Sequence, residues 1–346
     1  MGKLLRQVAG IDIARKDFVV SLGRMDDGLS EQVYATRKFM NTNDGFIKLR
    51  EWVKEKSSAE LEVLYVMEAT GVYHEKLAYF LNEQGCAVSI VLANKISNFF
   101  RTLSVKTQTD NTMSETIALF GLSRTLDRWN RPQKVFKDMR QLTRERDQLV
   151  QIRTIAKNQL HAEQSEAYPN PGTLERSLKQ IEFLNEQEQQ ILAEINALVR
   201  QDEQVKALIT LICSIPGIGK LTAAIILAET NGFELIVNKR QLASYAGFDV
   251  THKQSGTSIN GKPRISKKGN RHLRKALHLP ALSAIKHDER FKAIFTRLVG
   301  KHGIKMKAAV AVQRKLLEMT YTIYKSNIPY DTAHFKKLES SNEATP

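Results

Sequence analysis

Cysteine is almost missing from this chain. Two occur in 346 residues, Cys86 and Cys213, far apart and in apolar surroundings. That excludes a disulfide framework and a cysteine-ligated zinc site, and both read as reduced core residues. Long apolar runs are missing too. The longest, such as Ala223–Ala228, fall far short of the roughly 20 residues that a membrane span needs. Near the N-terminus Lys3 and Arg6 precede an apolar stretch, but Asp12 interrupts it and no small-residue cleavage site follows. No secretory signal is expected from that pattern, and a cytoplasmic protein is expected. Hydrophobic residues at 42% and charged residues at 26% exclude wholesale disorder.

Acid is scarce in one place. Between Lys239 and Lys315 stand 19 Lys and Arg against three acids, Asp249, Asp288 and Glu289. The rest of the chain holds 33 basic and 34 acidic residues, so this one segment accounts for the net charge of +15. Such asymmetry is the footprint of a polyanion partner, with nucleic acid ahead of a merely solvated basic face. A membrane surface fits less well, because no long amphipathic helix with a lipid-facing aromatic side is present.

The hydrophobic pattern divides the chain into domains. Residues 1–130 predict β-β-β-α-β-α-β followed by a helix from Asp110, an α/β domain. Residues 131–207 predict two long helices, 136–166 and 173–206, folded back at Tyr168-Pro169-Asn170-Pro171-Gly172. Ile181, Leu184, Ile191, Ile195, Leu198 and Val205 form a heptad seam there, interrupted by Glu188 and Asp202. It suits a coiled coil offering a stripe to a partner chain, or an ordinary intramolecular bundle. Residues 208–330 predict a mainly α domain, and 331–346 a polar, disordered tail. Ser214-Ile215-Pro216-Gly217-Ile218-Gly219-Lys220 resembles the hairpin of a helix-hairpin-helix element, in which backbone N–H groups meet a phosphate. A tight helix turn is the plainer reading.

Three acids are the first chemistry candidates. Asp12 interrupts an apolar strand, where an ionised carboxylate is costly unless compensated. Glu68 ends a second buried strand, and Asp110 opens the closing helix. In that topological order they fit a ribonuclease-H-like domain, with the acids converging on one sheet edge. Clustered carboxylates repel one another, and Mg²⁺ relieves that repulsion. Two metals about 4 Å apart would serve phosphoryl transfer. Asp110 alone could be a simple helix N-terminal acid. The second candidate is Ser255, in the basic loop that carries Gln254-Ser255-Gly256. A serine needs activation to become a nucleophile, and Ser258 and Ser266 are rivals. Lys253, Lys262, Arg264, Lys267, Lys268, Asn270, Arg271 and Arg274, with Gly217, Gly219 and Lys220, are the expected nucleic-acid contacts.

These motifs resemble a known family. Gly10-Ile11-Asp12-Ile13-Ala14, Glu68-Ala69-Thr70-Gly71-Val72-Tyr73 and Lys106-Thr107-Gln108-Thr109-Asp110 are similar to the RuvC-like DEDD domain of the IS-one-ten insertion-sequence transposases, a group that includes the Piv-type DNA invertases. Pro216-Gly217-Ile218-Gly219, Tyr245-Ala246-Gly247, Gln254-Ser255-Gly256 and Ile265-Ser266-Lys267-Lys268-Gly269-Asn270 are similar to that family's C-terminal domain. The resemblance implies site-specific recombination of double-stranded DNA, donor and target, guided by a structured noncoding bridge RNA. It implies that Ser255 is the nucleophile of a covalent DNA–serine intermediate. It implies that Asp12, Glu68 and Asp110 are catalytic Mg²⁺ ligands, and that the active form is a homo-oligomer, dimer or tetramer.

One departure stands out. Where the family pattern has Asp-x-x-Asp, this chain has Asp110-Asn111-Thr112-Met113. A thioether is a poor ligand for hard Mg²⁺. Glu115 lies about 200° round the helix from Met113 and is a poor substitute. Two alternatives follow: a RuvC-like junction nuclease that uses metal alone, or a catalytically weakened nucleic-acid-binding protein.

Overall fold

The computed structural model describes residues 3–69, 71–234, 236–252, 254–255, 259–261 and 263–331. Lys253, Lys262, Ser258 and the expected tail from 332 onward lie outside the described residues, as do the side chains of 255, 259 and 260. The chain forms two compact units, residues 1–131 and 132–346.

In the first unit, β1 (Leu4–Ile13), β2 (Asp17–Asp26) and β3 (Glu31–Met40) form an antiparallel meander. Helix α1 (Asn43–Lys56) follows, capped by Thr42, whose hydroxyl accepts from the Gly45 N–H. Then come β4 (Val63–Glu68), α2 (Glu75–Glu83), β5 (Ala87–Val91), α3 (Ala93–Phe100) and α4 (Asp110–Ser123). Strand order is β3-β2-β1-β4-β5, with β4 parallel to β1 and β5 parallel to β4. That is the ribonuclease-H-like order the acids suggested. Helix α3 was not legible in the sequence, which continues the β5 pattern to Ala93.

The period of two along β1 sorts its side chains between layers. Ala9, Ile11 and Ile13 face a core shared with Phe46, Leu49 and Trp52 of α1 and Leu77 and Leu81 of α2. Val8 faces the opposite core, with Met113, Ile117 and Phe120 of α4 and Ile96 of α3. Gly10 lies on that second face. A Cβ there would stand 2.2 Å from the Ala118 backbone nitrogen and 2.5 Å from the Ser114 carbonyl oxygen. Only glycine admits α4 so close to the sheet. The helix runs back along β1, with Gly121 over Val8 and Ser114 and Ala118 over Gly10, which carries its start, Asp110, toward Asp12.

In the second unit, α5 (Lys134–Gln164) and α6 (Pro171–Gln201) form the expected hairpin. Asn170 caps α6 through the Thr173 N–H, and Pro171 takes the first turn. The α6 seam of Ile181, Leu184, Ile191 and Ile195 is buried within the chain itself, each residue at most 8% exposed. Glu188 on that seam accepts from Arg153 and pairs with Arg146 at 2.6 Å, both on α5. The seam therefore closes the hairpin, as in the intramolecular reading. Phe136, Met139, Ile191 and Ile195 also join the core of the helices that follow. Those are α7 (Glu203–Ile212), α8 (Lys220–Thr230) and α9 (Lys239–Tyr245), then the short strands β6 (Val250–Thr251), β7 (Gln254–Ser255), β8 (Ile259–Asn260) and β9 (Arg264–Ile265). Helices α10 (Arg271–Ala276), α11 (His278–His287), α12 (Glu289–His302) and α13 (Lys305–Ser326) complete the unit. No helix among the described residues is long and apolar enough to cross a membrane.

Candidate active site and nucleic-acid interface

Asp12 and Glu68 lie at the C-terminal ends of neighbouring parallel strands, and Asp110 approaches the same edge from the start of α4. Register pairs Ile11 of β1 with Met67 of β4, so Asp12 and Glu68 sit one step further on, on neighbouring strands and on one face. Asp110 arrives from α4, whose first turn is fixed by a capping box between Thr109 and Thr112. A buried hydroxyl contact holds the helix to the sheet there, Ser114 Oγ to Ser21 Oγ at 2.8 Å. Burial pushes the Asp12 carboxyl up, and the charges of Asp110 and Glu68 push it further, to about 6. The three acids thus share one electrostatic environment, as an acid centre requires.

They do not close into a cage. Among the described residues no three His, Cys, Asp or Glu side chains stand close enough together to hold a metal ion. Position 113 supplies no fourth oxygen. Met113 is buried among Val91, Ile96 and Ile117. Glu115 is half-buried. The donor set of three carboxylates nonetheless suits a hard divalent cation in chemistry, being all oxygen.

Two residues of this edge were missed in the sequence. Asp17 opens β2, and its carboxylate pairs with Lys38 of β3 at 2.9 Å. The alternation of β3 places Lys38 on one of two faces, but only the register tells which.

In the second unit, the serine segment is not a plain loop. Strand β6 pairs with β9, and β7 with β8, where Ser255 stands opposite Ile259. The stem of this arm is tied down. Ser266 donates from Oγ to Asp249 Oδ1 at 2.6 Å, so that rival hydroxyl is engaged in structure. Arg274 donates to the Ala246 and Gly269 carbonyls at 2.7 and 3.2 Å. Asn270 caps α10 through its Oδ1 and donates from Nδ2 to Glu229 Oε2 at 2.6 Å. Glu229, 1% exposed, also takes a bidentate pair from Arg144 at 2.7 and 2.8 Å. Burial pushes the Glu229 carboxyl up, but the Arg144 and Asn270 hydrogen bonds outweigh it and hold it below the usual carboxylate range.

The expected nucleic-acid contacts divide accordingly. Asn270 and Arg274 hold the arm's stem. Gly217, at φ +88°, backs onto α11, where a Cβ would stand 2.4 Å from the Pro280 carbonyl oxygen. It serves the tight turn between α7 and α8. Gly219 and Lys220 at the start of α8 are exposed, with nothing within 4 Å of the Gly219 Cβ position. Arg264, Lys267, Lys268 and Arg271 are exposed as well.

Comparison with known proteins covers both units. Residues 9–169 match the DEDD-type IS110 transposase family, and residues 209–296 match the family described as Transposase IS116/IS110/IS902. A pilin gene-inverting protein of Moraxella lacunata is 27% identical over 323 residues, covering 93% of this chain and 97% of that protein. Its counterpart in Moraxella bovis matches to the same extent. An uncharacterized 43.6 kDa protein of insertion element IS110 in Streptomyces coelicolor is 29% identical over 177 residues, 48% of this chain and 42% of that protein. Among solved structures, T. thermophilus RuvC in complex with a Holliday junction substrate aligns with a TM-score of 0.28 at 10% identity, over 36% of this chain and 99% of RuvC.

Proposed function

We propose that this chain, which matches IS110-type transposase families over residues 9–169 and 209–296, cuts and rejoins double-stranded DNA through a covalent intermediate on Ser255. The observation that carries the phosphoryl-transfer reading is the placement of Asp12 and Glu68 one step beyond the Ile11–Met67 pair on neighbouring parallel strands, with Asp110 near enough to raise the Asp12 carboxyl, while the assignment of Ser255 is supported by the transposase family match over residues 209–296. Carboxylates gathered where they repel one another are a functional arrangement, since repulsion weakens the fold. Asp12, Glu68 and Asp110 stand too far apart here to enclose a metal ion; drawn together, their all-oxygen donor set would hold Mg²⁺, which when bound supplies charge stabilisation for phosphoryl transfer. The Ser255 oxygen forms a bond to the DNA phosphorus as the bond to a deoxyribose oxygen breaks. The serine proton passes to that leaving oxygen. Exposed Lys220, Arg264, Lys267, Lys268 and Arg271 hold the backbone. Lys253 and Lys262 are proposed to act with them.

A structured bridge RNA is proposed as the guide. Homo-oligomerisation finds support in the hairpin, where Ile152, Ile155, Leu178 and Phe183 are 44–57% exposed although the seam itself is closed. The test of the serine is direct. Purified enzyme is incubated with plasmid carrying its native flanking DNA, and protein–DNA adducts are trapped by denaturation. Wild type gives the adduct; Ser255→Ala binds DNA and gives none. Strand cleavage by Ser255→Ala equal to wild type would favour a metal-only junction nuclease. Sequencing the RNA that copurifies tests guidance, and one discrete flank-encoded RNA is expected.

Buried Met113 favours one other reading, a weakened enzyme that mainly binds nucleic acid. Tight DNA binding with no adduct and no cleavage by wild type would establish it.

A further inference from the structure

The acid edge carries a cation with no role so far. Lys38 lies in the same transverse row as Asp12: Asp12 pairs with Val19 of β2, and Val19 pairs with Lys38 of β3. Directly paired residues of antiparallel strands project to one face, about 4.5–5.5 Å apart per strand. That face lies beneath the first turns of α4. In the next row of the same face, Gly10 touches the Ser114 and Ala118 backbone, and Ser21 bonds Ser114. Lys38 Nζ is anchored 2.9 Å from Asp17, and its side chain is 57% exposed. The Asp17 hydrogen bond, the Asp17 charge and the charge of Asp110 all hold its ammonium protonated. Lys38 is therefore tethered on one side, open to solvent on the other, and near enough to Asp110 to feel it.

Lys38 lies two strands from Asp12 in the same row and feels the charge of Asp110, on the side from which a DNA phosphodiester approaching the acids is opposed by like charge. Met113 leaves the set a carboxylate short, with less anionic charge to hold cations against the phosphate. We infer that Lys38, steadied by Asp17, contacts a non-bridging oxygen of the DNA phosphate brought to the acid edge. The ammonium is a compact point charge suited to a phosphate oxygen, and the contact is a charge-assisted hydrogen bond. Asp17 is a positioning residue, since it acts through Lys38. The inference rests on the metal-dependent reading of Asp12, Glu68 and Asp110.

The experiment uses the full chain as wild type, Lys38→Ala, Lys38→Arg and Asp12→Asn. Binding of Mn²⁺ by the protein alone is followed by electron paramagnetic resonance. Strand cleavage of a plasmid carrying the native flanking DNA is measured at saturating Mg²⁺. Losing a hydrogen bond to a charged group slows Lys38→Ala cleavage by about 10- to 100-fold. Its Mn²⁺ affinity stays equal to wild type or rises, because a cation beside the carboxylates has gone. Lys38→Arg keeps most of the cleavage. A lysine with only a structural role would lower both readouts or neither. Cleavage by Lys38→Ala at the wild-type rate overturns the inference, as does a loss of Mn²⁺ affinity in that variant. Wild type that binds no Mn²⁺, with Asp12→Asn cleaving as fast, overturns the metal reading beneath it instead.

Discussion

Replacing Asp12 by asparagine should make the protein more stable while abolishing its chemistry. The carboxyl is raised from a usual value near 3.9 to about 6 by burial and by the charges of Asp110 and Glu68. At about 1.4 kcal/mol per tenfold, that shift corresponds to roughly 3 kcal/mol. Solvent reaches this half-buried side chain, so about 1–2 kcal/mol is the reasonable expectation. The sign follows from proton binding. A carboxyl whose folded pKa exceeds its unfolded value binds protons more tightly in the folded state. Its cost is absent below about pH 4, grows between about pH 4 and 6, and is complete above. Asparagine keeps the shape and has no charge. Urea unfolding in EDTA at pH 5 and pH 8 measures this, and the advantage of Asp12→Asn should be larger at pH 8. Adding Mg²⁺ should stabilise wild type and leave Asp12→Asn unchanged, since a ligand bound only by the folded state adds stability by mass action. Equal or lower stability of Asp12→Asn in EDTA at pH 8 would refute the reasoning.

Other expectations concern the second unit. If the basic face neutralises 6–10 phosphates, DNA affinity falls by about 10³–10⁵ between 50 and 200 mM salt, measurable by fluorescence anisotropy; a flat response would rule the basic face out. Removing Lys267 and Lys268 together should lower the salt slope by roughly two without changing sequence preference, since phosphate contacts position rather than specify. Glu229→Ala leaves Arg144 and Asn270 without their shared acceptor and should destabilise by about 2–3 kcal/mol, below the range for fully buried pairs because Arg144 is 44% exposed. As the Glu229 pKa is depressed, its contribution is present above about pH 4.5 and is lost as pH falls further. Equal acid sensitivity in wild type and Glu229→Ala would count against that assignment.

The elements that position the acids were legible because local pattern dictates them. Asp12 inside an apolar strand, Glu68 at the end of another and Asp110 at the start of a helical pattern are each visible in a few residues. The hairpin break at Pro169 and Pro171 is equally local. Long-range pairing was not legible. Lys38 joins the acid edge only through the register of β3 on β2, which shifts at a bulge between Leu22 and Gly23. Asn270 reads as a phosphate contact until Glu229, 41 residues away, is seen to accept from it. Gly217 reads as a phosphate loop until α11 closes on it. The heptad seam has the same appearance whether its partner is another chain or α5, and pairing of Glu188 with Arg146 and Arg153 settles it for the hairpin.

Met113 gives the most demanding test of the acid edge, because placing a fourth acid there has to work against the fold. Its side chain is 8% exposed and packs with Val91, Ile96 and Ile117. Met113→Asp removes a buried apolar side chain, at about 1.5–3 kcal/mol, and places a carboxylate against the same apolar wall. A destabilisation of about 3–5 kcal/mol in EDTA at pH 8 is expected, in the range of the most damaging single substitutions. Protonation relieves part of it, so the loss should be smaller at pH 5. The effect is opposite in sign to that of Asp12→Asn, although both variants alter one carboxylate of one site. Mg²⁺ should recover stability in Met113→Asp only if the new carboxylate reaches the edge held by Asp12 and Glu68. Recovery together with faster cleavage would mean that the natural chain works with an incomplete acid set. Recovery without faster cleavage would mean that three acids already suffice. Stability equal to wild type in EDTA would mean that position 113 opens to solvent, and the placement of Met113 in the core would be wrong.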